Sequence, residues 1–418
     1  MKRRGNLLHF LMIIALLLLT GCSGSGVRSN YAFVPAGDSQ IDGNEGLIRD
    51  MNSFGINAMN LIAASRSGDE NLMISPASLS MALAMVSNGA SGETRDQINA
   101  LINTEGLLPQ ALSQKYNQII SRLYQRQKLQ IFIANSLWVD DDYSLKEDFV
   151  KLAKTYFDAD TVSLDLAGSQ AVKRINNWIS DKTKGFIKNT LSHLDSNSAT
   201  VLVNTLYFKG NWVDSFSKSK TQKEDFTLSS GEVIQVDMMN RADDMAYCEA
   251  EGLSAVRLFY KDGASMLFIR PEGSISELLD SLTADTFNRI IAGLEDYEVT
   301  LKLPKFAFKS KNAMTDSLKA LGMTKAFTDD ADFSALIDPS QTKLLISNVI
   351  HDCRIELDEE GTTAAAATVV EFTATSAAPP APKEKKDFFL DKPFVFAIMD
   401  NETGAVLFLG IVENPNAE

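Results

Sequence analysis

One stretch near the C-terminus combines small side chains with a single charge. It runs from Glu359 to Ser376, and Glu371 is the only charged residue between Gly361 and Ser376. Alternate residues of a β-strand face opposite sides, so one face would hold Glu371 together with Thr363, Ala365, Ala367, Val369 and Thr373. The other face carries no charge and consists of Thr362, Ala364, Ala366, Thr368, Val370, Phe372 and Ala374. A slip of one residue would bury the carboxylate at a cost of several kcal/mol, so the pattern predicts a strand that can bury its uncharged face.

Apolar spacing or capping residues predict three helices in the first half of the chain. The first covers Leu47 to Ala64. The second begins after Ser75, a good N-cap, at Pro76, whose fixed φ suits the first helical position. The third is marked by apolar positions between Val172 and Ile179 and ends in the Lys-Gly turn at residues 184–185.

Apolar, partly β-branched runs predict the strands. Ile131 to Val139 and Ala199 to Phe208 have the continuous apolar character of strands in the middle of a covered sheet. From 226 to 308, strand patterns alternate with turn signals, and helical periodicity returns near 274–293. Lys343 to Leu357 predicts a long strand that leads directly into the small-residue stretch.

Composition and charge restrict the class of protein. The chain has 418 residues, a net charge of -14 and 45% hydrophobic residues. The hydrophobic fraction is sufficient for a large packed core, and the negative net charge argues against a nucleic-acid-binding protein. An acidic surface also argues against a polyanionic partner such as heparin. Length alone would suggest two or three domains, but no linker interrupts residues 45–416, so residues 45–418 are predicted to form a single domain.

The N-terminus is predicted to be a targeting segment that ends at Cys22. Basic residues at positions 2–4 precede an apolar run, Leu7 to Leu19, that is too short for a comfortable membrane span. The run ends in Leu-Thr-Gly-Cys, which resembles a bacterial lipobox and implies that residues 1–21 are removed and the Cys22 thiol is acylated, in the cell envelope or outside the cell. A plain signal peptide with a chance cysteine is the alternative. Residues 22–44, which are rich in Ser, Gly, Asn and Asp, are predicted to be a flexible tether.

The reactive side chains of the mature chain do not suggest an enzyme. Apart from Cys22, the cysteines are Cys248 and Cys353, which we predict to be two thiols rather than a bridge. Cys353 lies two residues from His351, so a metal pair is conceivable, but a buried thiol beside a packed histidine is the favoured interpretation. A hydrolase would need an activated nucleophile; there is no Gly-x-Ser-x-Gly motif, and only His193 and His351 could act as base. We therefore predict no catalytic residue, no metal site and no cofactor.

The stretch that begins at Glu359 resembles the hinge of the reactive-centre loop of inhibitory serpins, protease inhibitors that insert this loop into their own central sheet. The matching block consists of Glu359, Gly361, Thr362, Ala364, Ala365, Ala366, Ala367 and Thr368. Thr363 stands where the family usually has glutamate, on the outward face, where it should not obstruct insertion. Counting from Glu359 by the family's spacing implies that the cleaved bond is Thr375-Ser376. Because the neighbouring residues are also small, Ala374-Thr375, Ser376-Ala377 and Ala377-Ala378 remain alternative bonds.

Other segments from about residue 45 to the C-terminus are also similar to serpin segments. The matching strings are Asn71–Ser78, Asn204–Trp212, Leu303–Phe306, Leu321–Met323, Asp391–Phe396 and Ala405–Val412. The resemblance implies that Ser75, Ser78, Asn204 and His351 meet at the shutter, the point where the central sheet opens. It also implies that Trp212 lies at the breach, where the loop first enters the sheet.

The resemblance further implies an α+β serpin fold with three β-sheets, about nine helices and an exposed reactive-centre loop. The implied function is inhibition of a serine protease, which forms an acyl-enzyme on the loop and is trapped when the cleaved loop inserts. Small residues around Thr375 favour the shallow specificity pockets of elastase- or subtilisin-type proteases. The alternatives are a non-inhibitory serpin that acts as a binding protein, and an inhibitor of cysteine proteases. The expected protein is a lipid-anchored monomer whose partners are proteases and, through its lipid, a membrane.

Overall fold

The computed structural model describes residues 31–36, 44–66, 70–338, 340, 343–362 and 383–417. Within these ranges no helix is both long enough and apolar enough to cross a bilayer. The predictions made for Cys22, for Thr363 to Thr368 and for Thr375-Ser376 lie outside the described residues.

The described ranges contain helices and strands along their whole length. The helices are α1 (Glu45–Ser65), α2 (Pro76–Gly89), α3 (Gly92–Leu101), α4 (Pro109–Tyr124), α5 (Glu147–Phe157), α6 (Ala171–Lys182), α7 (Ile275–Ser281), α8 (Ala284–Ala292) and α9 (Thr315–Ala320). The strands are β1 (Leu72–Ile74), β2 (Gln130–Val139), β3 (Asp160–Ser163), β4 (Thr200–Asn211), β5 (Gln222–Thr227), β6 (Val233–Ala250), β7 (Leu253–Phe259), β8 (Ala264–Pro271), β9 (Glu295–Pro304), β10 (Phe306–Ala313), β11 (Asn348–Asp358), β12 (Gly361–Thr362), β13 (Lys385–Phe389), β14 (Phe394–Asp400) and β15 (Val406–Val412). The three helices predicted from apolar spacing or from capping residues are confirmed as α1, α2 and α6.

The central sheet has six strands in the order β10-β11-β12-β4-β2-β3. Strand β4 is buried over most of its length, as its continuous apolar run predicts for a strand covered on both faces. Strand β11 runs parallel to β4 and antiparallel to β10. The strand that leads into the small-residue stretch is therefore an inner strand of the central sheet.

A second sheet of nine strands has the order β1-β15-β14-β8-β7-β6-β9-β13, with β5 paired to β6. Strand β6 is 18 residues long and pairs with β5, β7 and β9. The described residues thus form two hydrogen-bonded sheets where the resemblance implies three, because the long β6 is shared between two groups of strands. The predicted α+β class is confirmed.

Helix α2 lies between the two sheets, and all of its residues are buried. The Ser75 side chain accepts a hydrogen bond from the N–H of Ser78, so the predicted cap is present. Helix α1 approaches closely at Gly55, where a Cβ atom would lie 2.3 Å from the Pro76 side chain. Ser75 itself is held beside the central sheet, because its N–H donates to His351 on β11.

Helix α6 covers the other face of the central sheet. Ile175 and Ile179 on α6 are fully buried in one cluster with Val201 and Val203 on β4. The helix ends at the predicted turn, where residues 184–185 have φ values of 51° and 78°. Ile350 on β11 belongs to the same cluster, and the Trp178 indole on α6 donates to Asp160 on β3. Helix α6 therefore lies across the sheet and is hydrogen-bonded to its β4-β2-β3 half.

Residues 31–36, part of the predicted tether, are docked on α4 and α5. The N–H of Val34 donates to the carbonyl oxygen of Thr155 at 3.1 Å, and the Asn117 amide donates to the carbonyl oxygen of Val34 at 3.0 Å. Phe33 meets the ring of Tyr124 edge to face, with a centroid distance of 5.7 Å. This short segment is therefore part of the folded body.

Candidate functional site in the central sheet

Two residues of the predicted hinge already lie inside the central sheet. Strands β11 and β4 pair directly from Asn348 to Cys353. Beyond these pairs the two strands separate, and Gly361 and Thr362, as β12, pair with β11 on one side and with β4 on the other. The sheet therefore has a gap for one more strand, and the hinge occupies the mouth of that gap.

Close packing holds the two hinge residues. Gly361 has φ +150°, and a Cβ atom there would lie 2.2 Å from the carbonyl oxygen of Gly210, so only glycine fits. Thr362 is 1% exposed, and its hydroxyl shares a 2.6 Å hydrogen bond with the hydroxyl of Tyr260. Burial raises the pKa of Tyr260 well above its usual value, so this hydroxyl is protonated. Tyr260 in turn stacks on Trp212, with 4.2 Å between the ring centroids.

Trp212 fastens the turn between β11 and β12. Its backbone N–H donates to the carbonyl oxygen of Glu360 at 2.9 Å. Its indole N–H donates to the carbonyl oxygen of Asp358 at 3.2 Å. The structure thus places Trp212 at the mouth of the gap.

Glu359 anchors the same turn through its side chain and is 4% exposed. Its carboxylate accepts a hydrogen bond from the Thr221 hydroxyl at 2.8 Å and forms an ion pair with Lys305 at 3.0 Å. Burial acts to raise the pKa of Glu359, but the hydrogen bonds from its own backbone and from Thr221, together with Lys305, outweigh burial and lower it. Glu359 is therefore ionised and connects the hinge to β10 and β5 through the residues that flank these strands.

Replacing Glu359 with glutamine is expected to loosen the hinge and to lower the free energy of unfolding by about 1 to 2 kcal/mol, because a hydrogen-bonded ion pair is lost. Denaturant unfolding of the intact protein measures the change. Glu360→Gln is the matched control, since Glu360 pairs with the largely exposed Lys218 and its loss should have a much smaller effect. Equal destabilisation by the two substitutions would contradict the anchoring role of Glu359.

The four residues predicted to meet at the shutter are fully buried and lie in one hydrogen-bond network. The N–H of Ser75 donates to His351 Nε2 at 2.8 Å, and His351 Nδ1 lies 2.5 Å from Asn204 Oδ1. Because Nε2 accepts, the proton sits on Nδ1 and is donated to Asn204. The Asn204 amide donates to the carbonyl oxygen of Ser78 at 2.9 Å, so Asn204 links His351 to α2.

The network bridges the two strands that flank the gap. His351 on β11 and Asn204 on β4 are directly paired in the parallel ladder. A strand inserted along the whole gap would have to separate these two residues. The shutter network therefore lies across the path of insertion.

His351 and Cys353 are arranged as a packed histidine beside a buried thiol. Burial lowers the pKa of His351 to about 3, so the ring is neutral. The Cys353 sulfur lies 3.3 Å from His351 Nε2, and burial raises the pKa of the thiol well above its usual value. Nε2 is already engaged by Ser75, and a protonated thiol is a poor metal ligand. Both Cys353 and Cys248 are free and buried, as predicted.

Sequence reasoning missed several residues of this site. Asn135 on β2 is 1% exposed, and its side-chain oxygen accepts a hydrogen bond from Asn204. An amide in the middle of an apolar strand was the signal that could have found it. Tyr260 and Thr221 carried no local signal, because their importance depends on contacts with the distant hinge. Lys305 lies in the matching string Leu303–Phe306, but nothing in that string points to Glu359 as its partner.

Comparisons with known proteins agree with the resemblance. A family model described as Serpin (serine protease inhibitor) matches residues 49–415. Human plasma serine protease inhibitor is 34% identical over 359 residues, which cover 84% of this chain and 86% of the relative. The crystal structure of tengpin, a thermophilic serpin, in its native state matches with a TM-score of 0.81 at 32% identity, over 92% of this chain and 97% of tengpin. Human thyroxine-binding globulin matches with a TM-score of 0.81 at 26% identity, over 89% of this chain and 99% of that structure. The chain therefore belongs to the serpin family.

Proposed function

We propose that this serpin inhibits serine proteases as a suicide substrate. The observation that carries the proposal is β12, in which Gly361 and Thr362 are strand-paired between β11 and β4. The sequence after β12, from Thr363 to Thr368, contains only Thr and Ala. A cleaved loop would therefore extend a strand that has already begun.

The proposed reaction begins when the serine hydroxyl of the protease attacks the carbonyl carbon of Thr375. An ester forms between the protease and Thr375, the peptide bond to Ser376 breaks, and the new amine of Ser376 takes the proton. The 13 residues from 363 to 375 then extend β12, and at about 3.3 Å per residue they carry the attached protease about 43 Å. Distortion of the protease against the body of the inhibitor prevents hydrolysis of the ester.

Several terms drive or oppose this insertion. Each inserted residue gains about 0.5 to 1.5 kcal/mol from hydrogen bonds and loses about 1 to 2 kcal/mol through ordering, so these terms nearly cancel. Burial of Val370 and Phe372 adds about 1.5 to 3 kcal/mol each. The rest must come from relief of strain in the native sheet, where Gly361 and Thr362 are the described hinge residues that lie in the gap. Thr and Ala side chains lose little rotamer freedom, which keeps the kinetic obstacle to insertion low.

We expect a covalent complex with elastase, because Ala374, Thr375 and Ser376 are small enough for a shallow specificity pocket. Incubation with elastase followed by denaturing electrophoresis should show a band at the summed mass of the two proteins. N-terminal sequencing of the small released fragment should begin at Ser376. Elastase with its active-site serine blocked is the control and should give no band.

The same experiment separates the alternatives. Cleaved inhibitor without a covalent band would overturn the trapping proposal and favour a non-inhibitory binding protein. A covalent band with papain, together with no band for any serine protease, would identify the protein as an inhibitor of cysteine proteases. A fragment that begins at Thr375, Ala377 or Ala378 moves the cleaved bond to a neighbouring position. A fragment that begins at or before Val370 would contradict the mechanism, because the inserted segment would be too short.

We also propose that the protein is attached to a membrane through a lipid on Cys22. The Leu-Thr-Gly-Cys sequence supports this proposal. Because residues 31–36 are docked on α4 and α5, only residues 23–30 separate the lipid from the body, a span of at most about 30 Å. The face with α4 and α5 would then lie near the membrane. Cys22→Ala should move the protein from the membrane fraction to the soluble fraction, and a variant that stays in the membrane fraction would contradict the anchor.

A further inference from the structure

A segment after α6 crosses the face of the central sheet and is tied to its far half. We call residues 183–194 the covering segment. The Arg354 guanidinium on β11 donates to the carbonyl oxygen of Phe186 at 3.1 Å, and Lys309 on β10 donates to the carbonyl oxygen of Lys188 at 3.2 Å. The Thr190 hydroxyl donates to the carboxylate of Asp352 on β11 at 2.5 Å. The covering segment is thus bonded to both strands on the far side of the gap.

Asp352, like Thr190, is fully buried. Its side chain is 0% exposed, and the same carboxylate oxygen that accepts from Thr190 also forms an ion pair with Lys309 at 3.1 Å. The other carboxylate oxygen is buried and has no hydrogen-bond partner among the described residues. Burial raises the pKa of Asp352, although Thr190 and Lys309 stabilise its ionised form. A buried carboxylate with one oxygen that lacks a hydrogen-bond partner lowers the stability of the folded protein. The presence of Asp352 at this position therefore indicates a role other than stabilising the fold.

The position of Asp352 supplies that reason. Asp352 pairs with Thr205 in the ladder between β11 and β4, and the Thr205 hydroxyl donates to the carbonyl oxygen of Asp352 at 2.9 Å. Hydrogen bonds between Asn176 on α6 and Leu191 join the covering segment to α6. Helix α6 in turn is bonded to β3, on the β4 side of the gap, through the Trp178 indole and Asp160. Thr190 is therefore attached to the β4 half of the sheet, whereas Asp352 on β11 and Lys309 on β10 are part of the other half.

Insertion of a strand must separate these two halves. One extra strand widens the distance between β4 and β11 by about 4.8 Å. If the covering segment moves with α6, the bond between Thr190 and Asp352 breaks. If it stays with β11, it must leave the β4 half, where Phe186 packs edge to face on Tyr207 with 5.0 Å between the ring centroids. Either movement therefore breaks a contact that is present in the closed sheet, the hydrogen bond between Thr190 and Asp352 or the ring contact between Phe186 and Tyr207.

We propose that Thr190, Asp352 and Lys309 form a latch that holds the central sheet closed and sets the rate at which it opens to accept a strand. The proposal rests on the proposed function, because the strand it controls is the cleaved loop. The three residues are positioning residues: they contact neither the protease nor the bond that is cut. The latch delays opening in the intact protein, and it is overcome when the cleaved loop pulls on the gap.

Opening can be measured without a protease. A synthetic peptide with the sequence of residues 363–374, which begins where β12 ends, should enter the gap of the intact protein, and native electrophoresis follows its uptake. Thr190→Val removes only the hydroxyl and should speed uptake about tenfold, the change expected from the loss of one hydrogen bond to a charged group. Lys309→Met, at a partly exposed position that should tolerate substitution, should also speed uptake.

The matched control is Thr183→Val in the same covering segment. The Thr183 hydroxyl is buried, and its hydrogen bonds stay within residues 179–187: it donates to the carbonyl oxygens of Ile179 and Ile187 and accepts from the N–H of Ile187. Its loss should leave the uptake rate within about twofold of wild type if the latch controls opening. Equal acceleration by Thr183→Val, or wild-type rates for both Thr190→Val and Lys309→Met, would overturn the latch.

The test of the latch and the test of protease inhibition can give different results. Latch-dependent uptake together with no covalent protease complex would support the latch and overturn only the inhibitory function. A wild-type protein that takes up no peptide, while Thr190→Val and Lys309→Met also take up none, would overturn the latch whether or not elastase is trapped.

Discussion

Thr362→Arg is expected to convert the protein from an inhibitor into a substrate of the same protease. Thr362 is 1% exposed and lies in the mouth of the gap, bonded to Tyr260. An arginine there would have to bury its guanidinium beside Tyr260 and Trp212, where no carboxylate contacts Thr362 among the described residues. Burial of an unpaired charge costs several kcal/mol. Because Thr362 already lies in the gap, the charge should expel β12, and the cleaved loop would have to bury it again before residues 363–375 could insert. Insertion should then be slower than hydrolysis of the ester, and the protease should escape.

The stoichiometry of inhibition and the covalent band on denaturing electrophoresis measure this effect. Thr362→Arg should yield almost only cleaved inhibitor. Thr363→Arg is the matched control, because strand alternation places Thr363 on the outward face, where a charge should be tolerated. If Thr362→Arg traps protease as well as the wild type does, the predicted phase of the inserting strand is wrong. If neither variant traps the protease, the loss of inhibition comes from the added charge itself and not from its place on the buried face.

Acid should destabilise the protein, and between pH 6.5 and about 5 His351 should contribute a separable part of the loss. Burial lowers its pKa in the folded state to about 3, whereas an unfolded histidine has a pKa of about 6.5. Below pH 6.5 the unfolded chain therefore takes up a proton that the folded state does not bind. The stability contributed by the neutral ring is fully present above about pH 6.5 and is lost as the pH falls toward about 3, at about 1.4 kcal/mol per pH unit. At pH 5 the loss should be about 2 kcal/mol.

Urea unfolding at neutral pH and at about pH 5 measures this loss. His351→Gln keeps hydrogen-bonding groups at the same position but cannot titrate, so its stability should change less between the two pH values by about 2 kcal/mol. The variant should be less stable than the wild type at neutral pH, because the bonds to Ser75 and Asn204 are disturbed. The same dependence on pH in both proteins would show that other groups, and not His351, govern the acid response.

Resemblance was needed to find the shutter. From chemistry alone, Ser75 is explained by capping and His351 by packing in a core, and both explanations are correct as far as they go. Nothing local to either residue indicates that Asn204, on a third segment, would join them in one network across β4 and β11. The family motifs supplied these partners because they preserve a three-dimensional arrangement.

The sequence by itself determined those features whose physics is local. Helix α2 begins after Ser75 because a cap and the fixed φ of Pro76 act within a single turn. Strand β4 could be placed inside a sheet because an uninterrupted apolar run needs cover on both faces. The phase of the hinge strand followed from alternation around Glu371, and Thr362, on the face predicted to be buried, is buried.

Only the tertiary structure decided which distant polar residues meet. The deciding pairs are 102, 54 and 162 residues apart in the chain, and they are Tyr260 with Thr362, Lys305 with Glu359 and Thr190 with Asp352. No periodic pattern in the sequence predicts such pairs, because each depends on the register between strands or on the path of residues 183–194 across the central sheet. An aspartate or threonine in a sequence is typical of the surface, and it becomes a buried anchor only when the fold brings a partner to offset the cost of its burial.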